Sequence, residues 1–75
     1  MHPVNTATAE AVREAIAQAD RTEKSVAEGA RISASTWQRR IHARTAFTNN
    51  ELSRIATVLG VKVAGLFAAI EEKLR

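Results

Sequence analysis

An all-α fold, a compact bundle of five helices, is predicted by three observations. Ala, Val, Leu and Ile dominate the apolar residues, and the 75-residue chain holds one Pro, at position 3, and three Gly. Little here interrupts helices, and few residues favour strands. Apolar residues recur at i, i+3, i+4 and i+7 in successive segments. Residues that start and stop helices fall at the boundaries of those segments. A chain this short is expected to be one domain and to bury about 60% of its unfolded surface.

Residues 1–7 read as a polar, flexible arm, and residues 8–75 as the single domain. Thr8 is the expected N-cap of a first helix, with Glu10 favourable in its first turn. Val12, Ala15, Ile16 and Ala19 form its apolar stripe, and it is expected to end near Asp20 or Arg21. Thr22 is placed to cap a second helix over about 23–30, whose small inward face is Val26, Ala27 and Ala30. Ser33 is placed to cap a third over about 34–43, bonding a free N–H at Ser35 or Thr36.

In that third helix Trp37 and Ile41 are i, i+4 neighbours and share the inward face. Ser35, Gln38, Arg39 and His42 fall opposite, Ala34 lies at the N-terminal edge, and Arg40 flanks the buried side. The clearest local signal follows in Thr48-Asn49-Asn50-Glu51, a capping box, with Phe47 and Leu52 as its hydrophobic staple. Leu52, Ile55, Ala56 and Leu59 continue that helix, and Gly60 is the expected left-handed residue at its end. A fifth helix runs from about Val63 with Leu66, Phe67, Ile70 and Leu74 in one stripe. Its lone Gly65 costs roughly 1 kcal/mol relative to Ala unless something packs against it.

Net charge is +3, and its distribution says more than its size. Residues 31–62 hold six cations (Arg31, Arg39, Arg40, Arg44, Arg54 and Lys62) against the single carboxylate Glu51. The preceding segment is acidic and the last one neutral. A basic middle of this kind suggests one side facing a polyanion. Two short helices with a brief turn between them, the second bulky inward and basic outward, meet the requirements of a helix-turn-helix. Its exposed N-terminal residues, Ala34 and Ser35, are small or polar enough to approach base edges. Gln38 suits adenine N6 and N7, and Arg39 suits guanine O6 and N7 or a phosphate.

The stretch "SVAEGARISASTWQRRIHARTAFTNNELSRIATVLGVKVAGLF" resembles the Cro and phage-repressor (XRE-like) helix-turn-helix family over roughly Val12 to Phe67. Val26-Ala27, Ile32-Ser33, Ser35-Thr36-Trp37 and the closing "ELSRIATVLGVKVAGLF" carry the likeness. The resemblance implies a phage-immunity or Cro-like repressor that binds operator DNA in a bacterial cytoplasm or on the nucleoid. It puts Ala34, Ser35, Gln38 and Arg39 at base-reading positions. Thr22, Glu23, Ser33, Arg40, His42, Arg44, Thr45, Thr48 and Asn49 are then the candidates for the DNA backbone. It also implies a homodimer through the C-terminal helix, with Leu66, Ile70 and Leu74 as the candidate seam. The chain departs from the family at four places. Arg31 replaces the turn Gly, so that either the turn differs or Arg31 tolerates a left-handed backbone at a cost of about 1 kcal/mol. Glu23 replaces the Gln opening the second helix. Ile41 and Ala43 replace the Glu and Gly closing the third.

A rival expectation is a helical protein-interaction module of antitoxin or anti-repressor type, using the same fold without reading DNA. An enzyme is not expected. The chain has no Cys, its two His are far apart in sequence, no Gly-rich phosphate loop occurs, and the carboxylates are scattered. No cofactor, metal or small-molecule ligand is expected. No stretch reaches the ~20 apolar residues of a membrane helix, and residues 1–8 lack the pattern of a signal peptide, so a cytoplasmic protein is expected.

Overall fold

The computed structural model describes residues 2–75 and contains five helices. These are α1 (Pro3–Gln18), α2 (Glu23–Gly29), α3 (Ala34–Ile41), α4 (Asn49–Leu59) and α5 (Val63–Lys73). α1 runs along α5 and also supports α3, while α2 packs on α4. One core joins them. Val12 and Ile16 come from α1, Val26 from α2, Trp37 and Ile41 from α3, Leu52 and Ile55 from α4, and Leu66 and Ile70 from α5. No single helix among the described residues is long and apolar enough to cross a membrane.

The caps at Thr22, Ser33 and Thr48 stand where the sequence puts them. Thr22 Oγ1 accepts the Ser25 N–H, Ser33 Oγ accepts the Thr36 N–H, and Thr48 Oγ1 accepts the Glu51 N–H. The capping box closes when the Thr48 N–H donates to Glu51 Oε1 at 2.8 Å. Phe47 and Leu52, the expected staple, are both buried.

The N-terminus departs from expectation. α1 begins at Pro3, five residues before the expected start, so residues 3–7 are helix and not an arm; Met1 lies outside the described residues. Pro suits the first helical position because its φ is preset and its missing N–H has no helical partner to lose. His2 is the cap, its Nδ1 accepting the Val4 N–H at 3.2 Å. Thr8 is no cap but a buried mid-helix residue whose hydroxyl donates to Val4 O at 2.7 Å.

Four helix ends share one construction. A left-handed residue closes each, directly after the C-cap at Asp20 (φ 55°), Arg31 (59°) and Ala43 (60°) and at the C-cap itself for Gly60 (71°). At each, two backbone N–H groups close back on the last turn. For Arg31 these are its own N–H to Glu28 O at 3.1 Å and the Ile32 N–H to Ala27 O at 2.9 Å. Arg31 and Ala43 thus hold the conformation that Gly adopts freely, and α3 ends at Ile41, two residues earlier than expected. Only one of these four positions carries Gly.

α2 packs tightly on α4 at Gly29. A Cβ there would sit 3.1 and 3.2 Å from the two methyls of Val58. In α5, Phe67 lies off the buried side and is 36% exposed, so the inward stripe reduces to Leu66 and Ile70.

Candidate nucleic-acid interface

α3 is a short helix with two anchors. Trp37 and Ile41 are 3% and 2% exposed. The Trp37 ring meets Phe47 edge-on, 5.7 Å between centroids at 72°. Its indole N–H donates to Glu23 Oε1 at 3.1 Å, tying α3 to the first residue of α2. Arg13 Nε of α1 stands 3.8 Å from the other Glu23 oxygen. Three helices therefore converge on one carboxylate.

Ala34, Ser35, Gln38 and Arg39, the four expected base readers, are all exposed. Ser35, Gln38 and Arg39 point away from the anchors, and Ala34 lies at the N-terminal edge of the anchored side. Arg39 makes one local bond, Nη2 to Thr36 Oγ1 at 3.2 Å, and neither Arg39 nor Arg44 has a carboxylate partner among the described residues. His42 caps the C-terminal end and is exposed, with Nδ1 2.9 Å from Gln38 O.

The expected backbone contacts divide into two groups. Thr22, Ser33, His42, Arg44, Thr45, Thr48 and Asn49 are exposed. Glu23 and Arg40 are half-buried and bonded to other helices. Arg40 Nε donates to Glu51 Oε1 at 2.9 Å, Nη2 reaches Glu51 Oε2 at 3.4 Å, and Nη1 donates to Thr45 Oγ1 at 2.6 Å. The Arg40 and Glu51 side chains are only 17% and 10% exposed. Burial alone would push the Glu51 carboxyl up. The Arg40 hydrogen bond, the Thr48 N–H and the charges of Arg40 and Arg54 outweigh it and hold the carboxyl below its ordinary value. This clamp links α3, the 42–48 loop and the start of α4. Arg40 thus has a structural role, with three of its five N–H groups bonded within the protein.

Arg54 also turns inward, Nε donating to Ala30 O at 2.7 Å and so capping α2 from α4. Sequence reasoning counted Arg40 and Arg54 as part of the basic face. It missed both pairings because residues 11 and 24 positions apart carry no periodic signal of contact.

Two of the three residues expected at a dimer seam, Leu66 and Ile70, lie in the chain's own core and are closed to a second copy. Leu74 is 44% exposed and shares the outer side of α5 with Phe67. A groove of about 540 Å³ runs between α2 and α3, with Trp37, Ala34 and Gln38 among its lining residues.

Comparison with protein-family models, curated proteins and solved structures finds no match to this chain.

Proposed function

We propose that the chain is a sequence-specific double-stranded DNA-binding regulator of the Cro and phage-repressor type, with α2, the turn at 30–33 and α3 acting as a helix-turn-helix. The observation that carries this reading is the two-sidedness of α3. Two buried anchors and the Trp37–Glu23 bond fix the helix, Ser35, Gln38 and Arg39 stand exposed away from them, and Ala34 is exposed at the N-terminal edge. A base-reading helix needs that combination, because readout fails if the support moves. Arg39 and Arg44 bring charge with no internal carboxylate to neutralise it. Charge then draws the domain to the duplex, and α3 enters the major groove. A homodimer would read half-sites about one helical turn apart, and it would repress where its operator overlaps a promoter. A cytoplasmic, nucleoid-associated location goes with this reading.

The test is selection of bound duplexes from a random pool with the purified chain, followed by Kd against salt. A palindromic winner is expected, with affinity falling by a log–log slope of about 0.9 per phosphate contacted. No binding at low salt would overturn the reading.

A second reading, a protein-interaction module, is favoured by one specific observation. The outer side of α5 carries exposed Phe67 and Leu74, with Val61 (47% exposed) just ahead of the helix. A chain that ignores duplex DNA yet associates through this side would support it.

A further inference from the structure

We propose that the cleft between the end of α2 and the outer side of α4 docks a short acidic segment of a partner protein, with its carboxylates on Arg31 and Arg54. This inference does not rest on the DNA-binding reading. The cleft holds about 240 Å³ and is lined by Gly29, Arg31, Ser53, Arg54, Thr57 and Val58. All but Val58 are exposed. Among the described residues, no carboxylate and no residue of α3 lines it.

The cleft offers donors with no internal acid to satisfy them. Among the described residues the Arg31 guanidinium makes no ion pair. Arg54 uses only Nε, on Ala30 O at 2.7 Å, and its two terminal nitrogens remain to donate. Arg21 brings a third guanidinium beside Val58, Nη1 donating to Val58 O at 3.2 Å. Glu28, the carboxylate nearest Arg31 in sequence, lines the α2–α3 groove instead, and Glu51 is taken by Arg40. Guanidinium forks match carboxylates and phosphates alike. The floor decides for a peptide. It is made of Gly29 backbone and the Val58 methyls, which stand 3.1 and 3.2 Å from where a Gly29 Cβ would be. That apolar strip suits the methylenes of a Glu side chain and gives a phosphate nothing to touch. Arg31 is also kept at φ 59°, a conformation that favours Gly, which points to a use for its side chain.

The test titrates the full, nitrogen-15-labelled chain with a blocked hexaglutamate peptide at low salt and follows the backbone amides by NMR. The amides of Gly29, Arg31, Ser53 and Thr57 are expected to shift, and a hexaglutamine peptide should leave them in place. Arg31→Gly keeps the left-handed turn and should weaken the glutamate peptide about five-fold, the effect of one exposed charge pair. Arg39→Ala removes the same charge from α3 and should change peptide affinity by less than about two-fold. Equal losses in the two variants would reduce the binding to general charge attraction and overturn the site. Inorganic phosphate that shifts the same amides with the same affinity would overturn the peptide assignment, and so would a DNA duplex that displaces the peptide from them. A glutamate peptide that shifts none of the four amides overturns the proposal and leaves the DNA reading standing. Peptide binding by a chain that ignores duplex DNA supports the proposal and overturns the DNA reading alone.

Discussion

α3 and α5 are each held by two deeply buried residues, Trp37 with Ile41 and Leu66 with Ile70. Their outer sides differ. That of α3 carries Ser35, Gln38 and Arg39 and is polar; that of α5 carries Ala64, Phe67, Ala68 and Leu74 with the one carboxylate of Glu71 among them. Anchoring is thus the same operation in both, and it does not distinguish a base-reading surface from a protein-binding one. What differs is the chemistry left in solvent. The comparison is broken if the anchors of α3 prove dispensable, or if the outer residues of both helices matter to folding.

The largest effect is expected from Trp37→Ala. It removes a buried ring, its edge contact with Phe47 and the bond to Glu23. A loss of about 3–5 kcal/mol is expected, enough to unfold much of a domain this small. Urea denaturation followed by circular dichroism measures it. A loss under ~1 kcal/mol would mean that α3 is not held by its Trp.

Glu51→Gln comes next, at about 2–3 kcal/mol near neutral pH, because Arg40 is left largely buried without its charge partner. The pH dependence has a definite sign. The folded-state pKa of Glu51 is lowered, so its contribution is complete above the ordinary carboxylate value and is lost as pH falls through the folded-state value. The wild-type chain should therefore lose stability from about pH 5 downward, and Glu51→Gln should flatten that part of the profile. Equal slopes for the two proteins would remove the clamp as its cause.

Gln38→Ala should divide binding from folding. We expect about 1–3 kcal/mol of lost affinity on the best site with altered base preference, and stability within about 0.5 kcal/mol of wild type. Unaltered preference would remove Gln38 from the readout.

Much of this fold is legible in the sequence because the signals are local. Thr22, Ser33 and Thr48 bond a backbone N–H three residues on, and Gly60 marks an end by its own φ. Outward Ser35, Gln38 and Arg39 follow from 100° per residue alone. The departures have physical reasons too. Thr8 looks like a cap because cap and back-bonding mid-helix Thr share a residue type, and only the Pro3 position and the His2 ring decide between them. Glu23, Arg40 and Arg54 read as surface charges, since nothing in spacing reveals that Trp37, Glu51 and Ala30 O lie opposite them. Phe67 reads as core because it sits beside a true core stripe, about 100° from Leu66.

Two backbone substitutions test how the helices end and continue. Arg31→Gly should stabilise the domain by about 1 kcal/mol, because Gly takes the left-handed turn without a Cβ penalty. Gly65→Ala should raise stability by about 0.5–1 kcal/mol, since a Cβ there meets nothing within 4 Å. Thermal unfolding measures both. A drop for Gly65→Ala would show that α5 needs the missing side chain, for instance where a partner lies close.

The smallest change in stability and the sharpest contrast with α3 belong to Phe67→Ser. Phe67 is 36% exposed and lies off the core stripe, so the folded monomer should lose under about 1 kcal/mol. If the outer side of α5 joins two copies, the same substitution removes the largest apolar group from that contact. Sedimentation should then show a shift toward monomer at unchanged circular dichroism. Operator affinity should fall for a palindromic site and stay the same for a single half-site, which separates loss of pairing from loss of readout. Unchanged association would detach α5 from dimer formation and leave its apolar side to the rival reading, in which a different protein covers it.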